Sequence, residues 1–536
     1  MNSQLSEIAS GNSRQAIDSH LAVKTVTGNS CERHPLLLTD LLQAAAAECG
    51  SRVAVISATK RFSYAEIEIY SNRLAARLMA NGIRPGDRVI IGLPNSMEFI
   101  VACFAIWKTR AVVVAIDSCT RAANLPVLLD RVEPAALIAE RKFAETLLET
   151  TAPKSLRAFF LNDHTGCRVA PGHIIVESLQ AAMRDGRPVT IPARGKPDDL
   201  ATITLTSGST NVPKGVMHTH ESILACASFT QSYLKLSQDD VVMLPIPLHH
   251  VLAFRRFLTC FLARCTLVLA PDIFIMKSFS ETHPTGLVLV PSACNFLADN
   301  FGTFLRKEGS CLRYLEIGGE PISSERLQTL QAILSDTQIH LTYGLTEGRV
   351  GYLKSGPNGV FDRLDRWNHG LEISVVDGEG RRLKAGEEGE ILISGSGLFK
   401  GYWRDAAATQ AALSEDGFRT GDVGVTDASG TIQLMGRIDD MIKIAGHKVH
   451  PREIEVVLQR HPSVQEVVVA QCRDQSGMKS AIRAHVVLRK DIAVSDAELL
   501  AHCREHLELY KVPASICFRD SFPKTALGKI QRHLVV

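Results

Sequence analysis

The sequence lacks an apolar run long enough to cross a bilayer. Its longest uninterrupted apolar stretch, 99–107, has nine residues, whereas a transmembrane helix needs about 20. It also lacks C-x-x-C pairs, although it contains 13 cysteines. Scattered cysteines indicate neither a disulfide framework nor a zinc site and are typical of reduced thiols in a cytoplasmic compartment. We therefore expect a cytoplasmic protein without stable membrane insertion.

An excess of charge of one sign is missing too, because 59 Lys and Arg face 57 Asp and Glu, for a net charge of +2. This balance gives no general reason to bind nucleic acid. The first 30 residues are polar and contain no apolar core of a secretory signal. The last four residues, HLVV, match no peroxisomal or prenylation address. No targeting signal is therefore expected.

What is present is the composition of a globular protein, with 45% hydrophobic and 22% charged residues in 536. Helical spacing over 64–82 and 97–108 alternates with strand-like runs at 88–93 and 111–116. Such alternation predicts βαβ units and parallel sheets with helices.

The character changes towards the C-terminus. Leu371–Val376 and residues 389–393 are short alternating strands between glycine-rich turns, which predicts a smaller β unit. After Gly436 a compact tail of two helices and two strands follows. We predict a flexible leader at 1–35, a large N-terminal domain at 36–437 and a small α+β domain at 438–536.

One stretch stands out for chemistry: residues 204–215 read TLTSGSTNVPKG after a strand-like run. Glycines allow close backbone approach, while hydroxyls, free N–H groups and Lys214 can surround phosphate oxygens. The order G-x-x-x-x-G-K-[ST] of the common P-loop is absent. Taken alone, the stretch also fits a flexible surface turn.

Four further stretches combine glycine with polar side chains: LTYGLTE at 341–347, FRTGD at 418–422, EIGGEP at 316–321 and PKTALGK at 523–529. Tyrosine can stack on a base, and a glutamate can hold Mg²⁺ together with phosphate oxygens. Singly, each of these also fits a surface turn.

Together and in this order, the motifs resemble the adenylate-forming superfamily, which contains AMP-dependent acyl-CoA synthetases, adenylation enzymes of peptide synthetases and luciferases. The resemblance runs from about residue 39 to the end. It rests on TSGSTNVPKG, YGLTE, GEILISGSGLFKGYW, FRTGDVG, GRIDDMIKIAGHKVHPREIE and PKTALGKI.

The resemblance implies that ATP activates a carboxylic acid to an acyl-adenylate with release of pyrophosphate. The C-terminal domain then rotates, and a thiol attacks to give a thioester and AMP. The expected substrates and cofactors are a small-molecule carboxylic acid, ATP, Mg²⁺ and CoA, or a phosphopantetheinyl carrier protein in place of CoA.

The resemblance also assigns roles. Lys529, Glu347 and Thr346 would be catalytic, with Glu347 binding Mg²⁺ and Thr346 touching the α-phosphate. Asp439 would be the hinge, and Gly446 would line the thiol tunnel. The residues expected to bind ATP or AMP are Thr206, Ser207, Gly208, Ser209, Thr210, Lys214, Gly318, Gly319, Glu320, Tyr343, Gly344, Asp422 and Arg437.

Two positions depart from the family pattern. Asn211 replaces a glycine of the phosphate loop, and asparagine tolerates left-handed conformations well. Arg110 replaces a glycine in a turn that is distant from the nucleotide in the family. Neither change indicates lost activity, because Lys214, Glu347, Asp422 and Lys529 are all present.

The acid pocket is the least defined part. His250 and Phe254 match pocket positions. Metal binding by the pair His249 and His250 is the less favoured interpretation, since no third ligand is near. Arg255 and Arg256 could pair with a polar substrate, but a place on a helix surface is the commoner explanation.

No aspartate occupies the stretch around 247–251 that would hold an α-amino group, which favours a simple aliphatic or aryl carboxylate. Three functions remain open. The first is an acyl-CoA synthetase, the second a standalone enzyme that loads a carrier protein, and the third a catalytically silent acid-binding module.

Overall fold

The computed structural model describes residues 37–120, 125–148, 153–163, 174–185, 190–191, 195–206, 214–270, 275–356, 360–444, 447–473, 480–490, 492–525, 528 and 530–535. All of them belong to one compact unit, Leu36–Val536. The predicted phosphate-loop residues Ser207, Gly208, Ser209 and Thr210, the departure Asn211, and Gly446 and Lys529 lie outside the described residues.

The described helices are α1 Leu38–Cys49, α2 Tyr64–Ala80, α3 Met97–Lys108, α4 Leu125–Val132, α5 Arg141–Leu148, α6 Leu179–Arg184, α7 His220–Leu234, α8 Val251–Ala263, α9 Ile275–Thr282, α10 Pro291–Glu308, α11 Ser324–Ile333, α12 Ala406–Ala412, α13 Pro451–Gln459 and α14 Asp496–His506.

The described strands are β1 Val53–Ser57, β2 Lys60–Ser63, β3 Arg88–Gly92, β4 Val112–Ala115, β5 Ala136–Ala139, β6 Ala158–Leu161, β7 Ile175–Ser178, β8 Leu200–Thr206, β9 Lys214–Thr219, β10 Val241–Met243, β11 Thr266–Leu269, β12 Gly286–Leu289, β13 Tyr314–Ile317, β14 Gln338–Leu345, β15 Gly348–Ser355, β16 Phe361–Trp367, β17 Leu371–Val376, β18 Glu388–Gly395, β19 Gly401–Tyr402, β20 Leu413–Ser414, β21 Gly417–Thr426, β22 Ile432–Arg437, β23 Ile442–Ile444, β24 His447–Val449, β25 Val464–Arg473, β26 Ser480–Leu488 and β27 Ser515–Phe518.

Two large sheets form the framework, as the alternating pattern predicts. In the first, the order is β19-β9-β8-β4-β3-β5-β6-β7, and the pairs from β8 to β7 are parallel. In the second, β11, β10, β12, β13 and β14 are parallel neighbours. Ligands of such sheets bind beyond the carboxyl ends of the strands.

Apolar helices hold the two sheets together. Helix α3 is buried at every position except Glu98, because its sequence MEFIVACFAIWK has almost no polar face. Its Phe104 and Trp107 pack against Phe257 of α8 with ring centroids 6.0 and 6.4 Å apart. This aromatic contact fixes α8, which lies beside the predicted acid pocket.

The predicted β unit is continuous with the second sheet. The hairpin β14–β15 turns the sheet antiparallel, and β16, β22, β21, β18 and β17 follow in that order. Strands β21 and β22 pair so that Asp422 lies opposite Arg437. The β unit therefore carries the FRTGD and GRIDD motifs on the same sheet as YGLTE.

The C-terminal tail contains the two predicted helices, α13 and α14, and the two predicted strands, β25 and β26, and it adds β23, β24 and β27. Strands β25, β26 and β27 form a three-stranded sheet, and α13 and α14 pack on a separate core that includes Ile454, Leu458, Val469 and Leu499. Contacts to the preceding residues include an ion pair between Arg489 and Glu325. Among the described helices, none is long and apolar enough to span a membrane.

Candidate active site

The predicted nucleotide residues converge where several strands end. Thr206 ends β8, opposite Lys214 at the start of β9. Gly318 follows β13, and Tyr343 and Gly344 lie near the end of β14. Because β13 and β14 are parallel neighbours, their carboxyl ends open on the same edge of the sheet.

Asp422 is the centre of one polar cluster. Its carboxylate accepts the Tyr343 hydroxyl at 2.5 Å and pairs with the Arg437 guanidinium at 3.0 Å. Arg437 also donates to the Thr420 carbonyl oxygen at 3.0 Å. Burial and the Asp422 carboxylate together raise the pKa of Tyr343 well above its usual value. Tyr343 is therefore a neutral donor, and the carboxylate is held in one orientation.

Glu347 is the centre of a second cluster. It accepts the Tyr402 hydroxyl at 2.8 Å, and the Lys214 ammonium lies 5.0 Å from the centre of the Tyr402 ring. Burial and then Glu347 raise the pKa of Tyr402. The Tyr402 ring thus connects the end of the phosphate loop with the carboxylate of the YGLTE motif.

The β19 strand keeps this contact in place. Tyr402 and Gly401 pair with Val216 and Met217 of β9, and the Trp403 N–H donates to the Gly215 carbonyl oxygen at 2.7 Å. A Cβ at Gly215 would lie 3.1 Å from the Trp403 Cβ, so glycine permits the close approach.

The Gly318–Gly319 turn leaves room beside β14. A Cβ on Gly318 would lie 2.3 Å from the Thr342 hydroxyl, and Gly319 has a φ of +95°. Both positions therefore require glycine. Glu320 follows on the same turn.

Thr346 is held through its backbone. Its carbonyl oxygen accepts from His218 Nε2 at 2.7 Å and from Arg255 Nη2 at 2.8 Å, and Arg255 Nη1 donates to the Leu345 carbonyl oxygen at 3.2 Å. Burial and then the Arg255 charge lower the pKa of His218 to about 3. His218 is therefore neutral and donates from Nε2.

The expectation that Arg255 and Arg256 lie on a helix surface is wrong. They are 6% and 1% exposed. Arg256 forms an ion pair with Glu316, which also accepts from Arg349 at 2.5 Å. Both consecutive arginines are buried because neighbouring elements cover α8 on several sides. The helix therefore has little exposed surface on which they could lie.

The two predicted pocket residues have different surroundings. His250 precedes α8, and burial and then the neighbouring His249 lower its pKa to about 4. Phe254 is 6% exposed and packs against Trp107, with centroids 6.1 Å apart. Among the described residues, no cluster of three metal-ligand side chains includes His249 or His250.

The segment that carries the predicted hinge residue Asp439 follows β22 and precedes the C-terminal tail. Asp439 is exposed just after Arg437, and the Ile438 N–H donates to the Gly421 carbonyl oxygen at 2.8 Å. Gly528, the residue before Lys529, lies against α10: a Cβ there would be 2.6 Å from the Ser292 Cβ. Ser292 follows β12, whose neighbour β13 leads into the Gly318–Gly319 turn.

Sequence reasoning missed Tyr402, His218 and the structural use of Arg255. Tyr402 is the penultimate residue of the motif GEILISGSGLFKGYW, so a pair of aromatic residues at the end of a glycine-rich motif was an available signal. His218 stands four residues after Lys214, in a strand that begins at the phosphate loop. Nothing in the sequence around Arg255 indicates its partners at 345 and 346.

The fold is that of the adenylate-forming class of enzymes. A family model for AMP-binding enzymes matches residues 42–403, and a model for the AMP-binding enzyme C-terminal domain matches residues 453–529. The chain therefore belongs to the AMP-binding enzyme family, as the motifs predict.

Three similar proteins illustrate the relationship. A medium-chain fatty-acid–CoA ligase of Escherichia coli is 30% identical, covering 93% of this chain and 89% of that protein. A long-chain-fatty-acid–CoA ligase of Mycobacterium tuberculosis, FadD13, is 29% identical, with 88% and 92% covered. ATP-bound MatB from Rhodopseudomonas palustris has the same fold, with a TM-score of 0.82 at 24% identity, covering 93% and 98%.

The predicted enzyme class, an AMP-forming acid–thiol ligase, is confirmed by the family and by these relatives, which are named as CoA ligases. The predicted α/β fold with a small C-terminal part is confirmed as well.

Proposed function

We propose that this enzyme joins a carboxylic acid to CoA in two half-reactions. In the first, a carboxylate oxygen of the acid attacks the α-phosphorus of ATP, and the bond to pyrophosphate breaks. In the second, the CoA sulfur attacks the acyl carbon, loses its proton, and AMP leaves. The observation that carries the proposal is the pair of polar clusters around Asp422 and Glu347 at one edge of the second sheet.

The nucleotide roles follow from these contacts. Asp422, oriented by Tyr343 and Arg437, has a carboxylate suited to accept two ribose hydroxyls. Tyr343 offers a ring face to adenine, and the Gly318–Gly319 turn with Glu320 lines the base. Lys214, together with Thr206 and the loop residues 207–210, supplies positive charge and donors to the β- and γ-phosphates.

Glu347 fits a magnesium ion. Mg²⁺ prefers carboxylate, phosphate and water oxygens, and only one Glu347 oxygen is engaged by Tyr402. When bound, the ion would neutralise the phosphate charge that repels the incoming carboxylate. Thr346, whose backbone is fixed by His218 and Arg255, would present its hydroxyl to the α-phosphate.

Lys529 completes the first half-reaction in this proposal. A cation is needed where the carboxylate meets the α-phosphate, and the closeness of the preceding residue Gly528 to Ser292 at the start of α10 supports this role. We assign residues 36–437 and 438–536 to two domains with Asp439 as the hinge, so that rotation replaces Lys529 by the Gly446 segment for thiol attack.

The acid is proposed to be an aliphatic or aryl carboxylate. The residues around 247–251 offer no carboxylate for an α-amino group, and the first turn of α8 is apolar. Eleven described cysteines are free, which supports a cytoplasmic location.

Acid-dependent exchange of pyrophosphate into ATP tests the first half-reaction. A panel of aliphatic, aryl and amino acids should give exchange with the first two classes and none with the third. Lys529→Ala should fold and lose about 10²–10³-fold of the exchange. Absence of exchange across the whole panel would instead favour a catalytically silent acid-binding module.

Thiol choice tests the second half-reaction. The enzyme should form a thioester with free CoA. If thioester forms on a holo carrier protein but not on CoA, the acceptor assignment is wrong and the enzyme is a standalone loading enzyme.

A further inference from the structure

Helix α14 carries a group of metal-ligand side chains outside the nucleotide clusters. Its sequence H-x-x-E-H places His502, Glu505 and His506 at positions i, i+3 and i+4, which share one helix face. One ligand atom from each lies within 4.8 Å of the others. In the part of the chain that the structure describes, no other trio of His, Cys, Asp or Glu meets this criterion.

Hydrogen bonds fix which ring nitrogen of each histidine donates. His502 Nε2 donates to the Val457 carbonyl oxygen at 3.0 Å, and His506 Nδ1 donates to the His502 carbonyl oxygen at 2.9 Å. A carbonyl oxygen only accepts, so these nitrogens carry the hydrogens. His502 Nδ1 and His506 Nε2 therefore keep free lone pairs. Histidines that bind metals usually donate their other N–H in this way.

A third imidazole lies close but has other partners. The His461 ring centroid is 5.2 Å from that of His502, and its Nδ1 accepts the Ser463 N–H at 3.3 Å. This leaves three protein ligands and open positions for water. Two imidazoles and one carboxylate suit zinc-like divalent ions and do not suit Mg²⁺ or Ca²⁺, which prefer all-oxygen ligands.

We propose that His502, Glu505 and His506 form a surface site for one divalent transition-metal ion of the zinc class. The ligands all come from one helix, so binding needs no change in the fold. This site is separate from the magnesium proposed at Glu347.

Titration of the metal-free full-length protein with Co²⁺, followed by competition with Zn²⁺, tests the site. The wild type should bind one Co²⁺ with visible d–d absorption. His502→Ala and His506→Ala should each weaken binding by about 10²-fold, since even loss of a second-shell partner costs about 10–100-fold. His283→Asn, a change at an exposed histidine in a surface turn, should bind like the wild type.

Thiols are the competing ligands, and Cys119 is exposed. Thiolate ligation would add a near-ultraviolet charge-transfer band and survive both alanine changes. That result, or no binding at millimolar Co²⁺, would overturn the proposal.

A different observation concerns Arg255, and this inference rests on the proposed function. Arg255 extends from α8, the helix beside the acid pocket, to the carbonyl oxygens of Leu345 and Thr346. It is 6% exposed and lies 3.4 Å from His218 Nε2. The guanidinium thereby links α8, beside the proposed acid pocket, to the turn that carries Thr346 and Glu347.

We infer that Arg255 is a positioning residue for adenylation. It orients the Thr346–Glu347 turn and does not itself bind the acid. A charged donor that satisfies two neighbouring carbonyl oxygens restricts the turn more than a neutral one. Small displacements of such groups reduce the rate because the reacting atoms lose alignment.

Kinetics of the pyrophosphate exchange separate positioning from acid binding. Arg255→Met should lower kcat by about 10–100-fold, the loss expected for charge-assisted hydrogen bonds. Its KM for the acid should change by less than about threefold. Arg255→Lys should recover part of kcat, and Arg264→Met, at the half-buried C-cap of the same helix that pairs with Glu48, should match the wild type.

The outcomes separate this inference from the proposed function. A wild type without exchange would defeat the proposed function itself. An active wild type with Arg255→Met of normal kcat, or of raised acid KM alone, would defeat only the positioning role.

Discussion

Among the described residues, a carboxylate with a tyrosine hydroxyl and arginine as partners occurs at two places that differ in solvent accessibility. Asp422 binds the Tyr343 hydroxyl and Arg437, whereas Glu316 binds the Tyr352 hydroxyl, Arg349 and Arg256. The side chains of Asp422 and Arg437 are 15% and 43% exposed. Those of Glu316, Arg256 and Arg349 are 0%, 0% and 5% exposed. Residue type alone therefore does not distinguish a partly solvated polar cluster from one that is fully buried in the core.

Hairpin β14–β15 explains why the two clusters are close in sequence but differ in environment. Tyr343 on β14 pairs with Gly351, and Thr342 pairs with Tyr352 on β15. Adjacent residues of a strand point to opposite faces. One face therefore carries Tyr343 towards Asp422 at the open strand ends, while the other carries Tyr352 onto Tyr233, stacked at 3.7 Å.

Removal of the buried carboxylate should have the largest effect on stability. Glu316→Ala leaves Arg256 and Arg349 without their carboxylate inside the core, which typically costs about 3–5 kcal/mol. The free energy of unfolding in urea should fall by that amount. Glu316→Gln keeps the shape and one acceptor, so it should lose less.

Asp422→Ala is the matched control for that experiment. Its ion pair is partly solvated, so the loss of stability should stay at about 0–1 kcal/mol. Equal losses for the two alanine variants would show that burial does not separate the clusters.

The partly exposed carboxylate of Asp422 should instead affect the binding of the nucleotide. Asp422→Asn replaces a charged acceptor by a neutral amide, and hydrogen bonds to charged groups are worth about 1.5–3 kcal/mol. The KM for ATP should therefore rise by about 10–100-fold, measured by exchange at saturating acid.

Asp427→Asn provides the control for this second prediction. Asp427 accepts the Ser429 and Thr431 N–H groups in the turn between β21 and β22, away from Tyr343. Its KM for ATP should stay unchanged. If both variants raise KM alike, the effect reports on the β unit as a whole and the ribose role is wrong.

The residues of the Asp422 cluster were largely predictable from sequence, and those of the buried Glu316 cluster were not. Motifs place Tyr343, Glu347, Asp422 and Arg437 at glycine-flanked strand ends, where the chemistry requires particular residue types. Burial of Arg255 and Arg256 depends on what covers α8, which comes from α7 and the distant hairpin β14–β15. Such long-range packing leaves no local sequence pattern.

The main helices and strands were also predictable, because their apolar periodicity is local. The predicted helix 97–108 is observed as Met97–Lys108, and the predicted strand 88–93 as Arg88–Gly92. Periodicity could not predict that the β unit joins the second sheet, because strand order is set by contacts between residues far apart in the chain.

Low pH should reduce the free energy of unfolding through two histidines, His218 and His250. His218 and His250 have pKa values of about 3 and about 4, lowered from 6.5 chiefly by burial. Between about pH 6.5 and 4 the unfolded chain therefore binds more protons than the folded one, so stability falls as pH falls. The slope is at most about 1.4 kcal/mol per pH unit for each histidine.

Urea unfolding between pH 8 and 4 measures this loss. His250→Asn removes one titrating group, so its stability should fall less steeply than that of the wild type below pH 6.5. Parallel curves for the two proteins would contradict the assigned environment of His250.

The smallest effect is expected at Arg110, which lies outside both clusters. It has a φ of +61°, which glycine adopts more readily, and its side chain pairs with Asp199 at 3.0 Å. Arg110→Gly relieves the backbone but loses a surface ion pair and gains unfolded-state freedom, so the net change should stay within about 1 kcal/mol.

Arg110→Ala separates these contributions, because it loses the same ion pair yet keeps a Cβ in the left-handed region. It should be less stable than Arg110→Gly by about 1 kcal/mol in urea unfolding. Pyrophosphate exchange should be equal in both variants and the wild type. Equal stability of the two variants would show that the turn relaxes around the side chain, and the glycine usual in the family would then have another cause than backbone strain.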